Sequence, residues 1–408
     1  MEVAVVAGGD PGHALPAIGV AAQLARRGHE VRLHTGGGHA ATAAAHGLAL
    51  IPLPDIGDDE VDATGFGERL RQLAVALAPR MIAAWRSRPP DVVLVDSLTW
   101  GGALAAQLLD RPWVELIGHH LPDPDDDLPP VGLGRSMPSP AWRRSNDRQL
   151  VARQRRSISA GAVEDQRAIA SLGLPRMPTP GARLVATLPS LERARRRWPD
   201  NVHVVGPLAL DPAGPVLRPP DGSAPLVVVT DSTATGVVSS LGALAQRAFD
   251  RCDLRVVVTS SDLPTTSTTS MVVGRGPHGP LLAEAAVAIG HGGGGFLSKA
   301  AAAGVPTVIA PLQGDQREAA ARWREAGAGR VVRASQLTPR RLRWAVVRHL
   351  ADHRAREAAA QLAGEAQQLG ADLAASIVEQ VGAGATPIAS GPAHHLTRSI
   401  APSCASHA

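Results

Sequence analysis

Apolar and polar positions along the chain fall into two series of the same kind. Residues 2–7 form a short apolar run that ends in Gly8-Gly9-Asp10-Pro11-Gly12-His13. Residues 14–27 carry apolar positions at helical spacing, and 30–35 give a second strand, so the chain opens as a βαβ unit. Strand-like runs recur at 91–95, ending in Asp96, and at 111–117, 183–188 and 201–205, with helical stretches across 146–172. A Pro- and Gly-rich passage at 207–225 reads as a linker. Beyond it the pattern restarts, with strands at 226–230, 254–259, 271–274, 287–289 and 306–309 and helices to about residue 380. Strands alternating with helices predict the α/β class with parallel sheets. The expected layout is a first domain over 1–206, a linker over 207–225 and a second domain over 226–365. A helical segment follows at 366–382, and 383–408, rich in Ala, Ser, Pro and Gly without a period, reads as a disordered tail.

The stretch from Val287 carries the sharpest chemical signal. Its apolar run ends in His291 and the four glycines Gly292–Gly295, an alanine-rich helix follows, and Gly304 closes that helix. A strand, a glycine turn and a helix in succession present backbone N–H groups and the positive end of a helix dipole to a phosphate. Glycines alone would favour a plain tight turn in an α/β core. His291 before them, and Asp315-Gln316 after the next strand, favour the phosphate reading. The opening unit does not read as a dinucleotide site: its glycines are not spaced as G-x-G-x-x-G, and its second strand ends in His34-Thr35 where an acidic residue is wanted.

The second stretch resembles the donor signature of family-1 glycosyltransferases of the GT-B fold. His291, Gly292, Gly293, Gly295, Gly304, Val305, Pro306, Pro311, Asp315 and Gln316 match that pattern. Phe296 stands where Ser or Thr is usual, and Lys299 where the family has a Glu that holds the ribose. Gly12, His13 and Pro16 match the family's first loop, in which the His is the general base, and Asp96 matches the carboxylate that orients it. Thr233 takes the position of a hydroxyl aimed at the donor phosphates and sugar; Pro277 and His278 take that of a Pro-Gln loop that clasps the base.

The resemblance implies two Rossmann-like domains facing across a cleft, with hinge closure around the donor. It implies an inverting, metal-independent transfer of a sugar from a UDP- or dTDP-type nucleotide to a hydroxyl of a small, natural-product-like acceptor. His13 would remove the acceptor proton. His291 and the N–H groups from Gly293 to Phe296 would stabilise the leaving diphosphate, and Asp315 and Gln316 would grip the sugar. No cofactor is implied beyond the nucleotide-sugar co-substrate. From the residues alone, His13 could instead be a packing or capping histidine, and Asp96 could be a helix cap. The rival readings are a catalytically silent GT-B protein that binds a nucleotide or a partner, for which Phe296 and Lys299 speak, and a lipid-linked sugar transferase of the same fold, which would need an apolar membrane face.

Composition narrows this picture. The 408 residues suffice for two domains, and 44% hydrophobic content supports sizeable cores. No run of 18 apolar residues and no leader pattern occur, so a cytoplasmic enzyme without an integral membrane segment, monomeric or homodimeric, is expected. Cys252 and Cys404 make neither a disulfide framework nor a metal site. The pI of about 10.1 arises at a net charge of only +4. Of 41 basic residues 40 are Arg, and aromatics make up 2%, which argues against nucleic acid as a partner. Lys299, the lone lysine, can donate but not accept; it would contact a donor phosphate or acidic sugar, point to solvent, or mark decayed donor binding. Asp125-Asp126-Asp127 reads as a solvated acidic loop. Segments 55–66 and 119–139 are expected to form the acceptor wall, with Trp85 and Trp100 as candidate lining.

Overall fold

The computed structural model describes residues 1–53, 56, 65–231, 241–260, 262–312 and 314–387. In the first half β1 (Glu2–Val6), α1 (Pro11–Arg26), β2 (Glu30–Thr35), α2 (Ala40–Ala45) and β3 (Leu50–Pro52) lead to α3 (Phe66–Trp85). There follow β4 (Val92–Asp96), α4 (Gly101–Leu108), β5 (Trp113–Ile117), α5 (Ala141–Ala170), β6 (Ala182–Val185) and β7 (Val202–Val204). The second half comprises β8 (Leu226–Thr230), α6 (Leu241–Phe249), β9 (Arg255–Thr259), β10 (Thr266–Ser267), β11 (Met271–Gly274), α7 (Gly279–Leu282) and β12 (Val287–Gly290). It ends with α8 (Gly294–Ala303), β13 (Thr307–Ile309), α9 (Gly314–Glu325), β14 (Gly329–Val331), α10 (Pro339–Leu350), α11 (His353–Ala366) and α12 (Ala371–Gly382).

Among the described residues each half builds one seven-stranded sheet, in the orders β3-β2-β1-β4-β5-β6-β7 and β10-β11-β9-β8-β12-β13-β14. Every pairing is parallel except β10 with β11. Helices cover both faces, so strands such as β4 and β8 are buried along their length. That is why they read as unbroken apolar runs and not as alternating ones.

The strand order decides where ligands can bind. In the first sheet the chain runs outward from β1 to β3, then returns to lay β4 beside β1. In the second it runs outward from β8 to β11, then returns to lay β12 beside β8. At each reversal the flanking loops leave in opposite directions and open a crevice beyond the strand ends. The final helix α12 leaves the second half and packs Ala374, Ala375, Ile377, Val378 and Val381 into the core that α1 shares with the first sheet. Arg27 and His29 tie it there through Glu379 at 2.7 Å each.

Three short elements, β3, β14 and β10, were not expected from the pattern, being at most three residues long. The expected helix 14–27 starts three residues early: Pro11 fits the first helical position, so His13 already lies inside the first turn.

Candidate active site

The first crevice holds a histidine–carboxylate pair. Asp10 precedes the first turn of α1 in an extended conformation, and Pro11 presets the first helical φ. His13 is thereby aimed at the end of β4, where its Nδ1 lies 2.7 Å from Asp96 Oδ1. An ionised carboxylate can only accept, so Nδ1 carries the proton and Nε2 is the basic nitrogen. The other Asp96 oxygen accepts from the Leu98 N–H at 3.2 Å and the Thr99 hydroxyl at 3.1 Å. The helix-cap role weighed from the sequence is not what Asp96 performs: α4 begins after Trp100 without a side-chain cap, and this 2% exposed carboxylate holds both the intervening turn and His13. Burial works against a charged His13, but the Asp96 hydrogen bond and the charges of Asp96, Asp10 and Asp315 outweigh it and raise the imidazole above 6.5.

Beside His13 opens a cavity of about 410 Å³. Its walls are Leu53, Ile56, Phe66, Leu70, Leu73, Leu77, Leu98 and Trp100, with Asp10, Arg69 and Thr99 at polar points. The α3 contribution was missed from the sequence, although Leu70, Leu73, Ala74 and Leu77 keep helical spacing. A stripe of that kind ordinarily faces a core, and here part of it faces an open cavity. Trp100 lines the cavity, whereas Trp85 is fully buried and donates to His34 at 3.2 Å. Of the expected wall 55–66, residues 55 and 57–64 lie outside the described residues.

The second crevice is built from backbone. β12 delivers His291, 6% exposed, whose Nδ1 donates to the Ala310 carbonyl at 2.8 Å. Gly292 turns the chain at φ +87, and Gly293 precedes α8 in an extended conformation, leaving the first N–H groups of α8 at the crevice. The two halves meet here: a Cβ on Gly294 would lie 2.6 Å from the Gly118 carbonyl oxygen, and one on Gly118 would lie 3.2 Å from that of Gly12. Gly295 borders open space. Asp315 stands exposed on the first turn of α9 and, with Gly118, His119, Gly292, Gly294 and Ser298, lines a small cavity between the halves. Gln316 is buried, and its amide oxygen accepts from the Leu312 N–H at 3.0 Å.

Four residues singled out in the second half are occupied by packing. Phe296 belongs to the apolar core with Leu297 and Ala300. Lys299 does not point to solvent: it is 8% exposed and its Nζ lies 2.9 Å from Asp211 Oδ1. Asp211 comes from the linker and also accepts from the His278 and Gly279 N–H groups at 3.0 and 2.8 Å. Burial opposes ionisation of Asp211, but Lys299 and these N–H groups hold its carboxyl below the usual range. His278 is pushed down to about 4 by burial and by the Lys299 charge, and its Nε2 meets the Thr259 hydroxyl at 2.9 Å. Pro277 is buried beside it. Thr233 lies outside the described residues. Among the described residues no group of three His, Cys, Asp or Glu side chains could hold a metal, and no helix is long and apolar enough to cross a membrane.

Comparison with known proteins points the same way. The C-terminal domain family described as erythromycin biosynthesis protein CIII-like matches residues 247–389. The chain is 29% identical over 395 residues to a 4'-demethylrebeccamycin synthase of Lentzea aerocolonigenes, covering 87% of this chain and 93% of that one. It is 26% identical over 401 residues to a demethyllactenocin mycarosyltransferase of Streptomyces fradiae, covering 90% and 84%. A glycosyltransferase of Streptomyces sp. SF2575, solved with thymidine diphosphate, superposes with a TM-score of 0.65 at 23% identity over 93% of this chain and 99% of that one.

Proposed function

The chain belongs to the bacterial natural-product branch of the family-1 GT-B glycosyltransferases, and from that premise we propose a mechanism of single-displacement, inverting transfer with His13 as base. His13 Nε2 takes the proton of an acceptor hydroxyl as its oxygen attacks the anomeric carbon of a nucleoside-diphosphate sugar. The bond from that carbon to the diphosphate breaks, and its electron pair leaves on the phosphate oxygen. Attack opposite the leaving group inverts the centre. Asp96 keeps Nδ1 protonated and stabilises the imidazolium as it forms.

On the other side of the reacting carbon, the N–H groups at the start of α8 and His291 would receive the charge growing on the diphosphate. Asp315, at the first turn of α9, would accept from sugar hydroxyls. The bound thymidine diphosphate of the SF2575 relative supports a thymidine or uridine diphosphate donor. The 410 Å³ cavity supports a small acceptor with a largely apolar body, whose reactive hydroxyl is turned toward His13.

One observation carries this reading. The His13–Asp96 pair, at 2.7 Å, opens onto an apolar cavity on its own half. The test is His13→Ala, assayed by release of nucleoside diphosphate. Transfer should fall about 10²–10⁴-fold, the range for loss of a general base, with calorimetric binding of thymidine or uridine diphosphate retained. Turnover at the wild-type rate would overturn the assignment.

A further inference from the structure

Between the halves lies a set of buried charges that takes no part in the chemistry above. Glu192 and Arg193 sit between β6 and β7 of the first half, and Glu318, Arg322 and Glu325 on α9 of the second. Arg322 Nη1 donates to Glu192 Oε2 at 2.7 Å, and its Nε to Glu318 Oε1 at 3.1 Å. Arg193 Nη1 donates to Glu318 Oε1 at 2.9 Å; its Nη2 reaches Glu325 Oε1 at 3.0 Å and the Arg135 carbonyl at 2.6 Å. Glu192 Oε1 also accepts from His120 Nδ1 at 2.9 Å and the Thr187 hydroxyl at 2.8 Å. The side chains of Glu192, Arg193, Glu318 and Arg322 are each 7% exposed or less.

The segment expected to wall the acceptor, 119–139, in part crosses to α9 instead. The Met137 N–H donates to Glu325 at 2.8 Å. Gly134, at φ +61, lies so close that a Cβ there would come within 2.6 Å of the Arg317 carbonyl. Apolar side chains could fill such an interface with equal or better stability, because desolvation offsets most of the attraction in a buried ion pair. What directional pairs supply is a single register: shifting α9 along the first half would leave several charges buried without partners.

We propose that Arg193 and Glu192 are positioning residues of the transfer: acting from the first half, they fix the register of α9 so that its first turn, carrying Asp315, holds its place at the cavity it lines with Gly118 and His119 of the first half. This rests on the reading of His13 as base and of α9 as the sugar-side helix. Three carboxylates act on His13, from Asp96 at the end of β4, Asp10 before α1, and Asp315 on α9. The third alone belongs to the other half, so the titration of His13 reports where α9 stands.

The experiment follows the His13 imidazole by NMR titration of the full chain without ligand, with the signal assigned by its loss in His13→Gln. Asp315→Asn should lower the midpoint. Arg193→Gln should lower it too, and the double variant should fall no further than Asp315→Asn alone. The sign is diagnostic: removing the Arg193 cation by itself would raise the His13 midpoint, so a fall requires Asp315 to have receded. Arg193→Lys, which keeps the charge but loses the fork, should lie between. If Arg193→Gln does not fold, Arg193→Lys stands in for it: the charge is kept, so a fall again requires Asp315 to have receded. An unchanged or raised midpoint in these variants, or no effect of Asp315→Asn, overturns the proposal and leaves the base assignment standing. Wild-type turnover in His13→Ala defeats that assignment and leaves the titration result intact.

Discussion

The two crevices have the same topology and opposite chemistry. Each opens where a returning strand is laid beside the first strand of its sheet, β4 beside β1 and β12 beside β8. At the first, the proposed function resides in side chains, an imidazole held 2.7 Å from a buried carboxylate next to an apolar cavity. At the second it resides in backbone, a positive-φ glycine and the open N-terminus of α8. A side-chain site is specified atom by atom and tolerates little exchange. A backbone site is specified by where a Cβ is forbidden, and the side chains behind it are free to change if they pack. The two departures from the donor signature, Phe296 and Lys299, are both buried behind the second crevice.

The comparison can be broken most sharply on the side-chain side. Asp96→Asn removes the charge that favours protonated His13, replaces the carboxylate by an amide that can also present a donor to Nδ1, and leaves burial, which opposes the charged form. On the proposed mechanism the His13 base acts in its neutral form, above a midpoint raised past 6.5. The acid limb of kcat/KM should therefore lie above pH 6.5 and move down in Asp96→Asn, while the plateau rate falls about 10²-fold or more. A limb that stays in place would separate Asp96 from His13. On the backbone side, Gly292→Ala should weaken binding of thymidine or uridine diphosphate and destabilise the fold by about 1–3 kcal/mol, as expected for a strained left-handed residue. A Cβ there would also meet Ile309 Cγ2 at 2.9 Å. Calorimetry and denaturant melts check both. The smallest effect on binding is expected for Lys299→Met. It leaves Asp211 partly buried without its cation, which should lower stability by about 1–3 kcal/mol, while nucleoside diphosphate affinity stays close to wild type. A large loss of affinity with unchanged stability would return Lys299 to the donor.

The second crevice was the more legible in the sequence, and the less safely read. Its glycines, His291 and Asp315-Gln316 stand within 26 residues, and their spacing exposes the turn directly. The same spacing says nothing of direction, so Lys299 was open to a phosphate, to solvent and to decay; an aspartate 88 positions earlier, in the linker, decides its orientation. At the first crevice the partners are 83 residues apart, and α3, whose leucines line the cavity, carries a stripe indistinguishable in sequence from a core face.

The sequence alone determined what is local. Buried parallel strands show as unbroken apolar runs, an apolar stripe at helical spacing marks most of α1, though not the first turn that holds His13, and glycines mark where backbone must come close. Only the tertiary structure decided what lies opposite what: Asp211 against Lys299 and Arg193 against α9, while Asp96 against His13 was implied by resemblance and by no local pattern. Periodicity records which face of an element is apolar. The pairing of charges across a chain of 408 residues is set by strand order and by the fit of two halves, which no window of sequence contains.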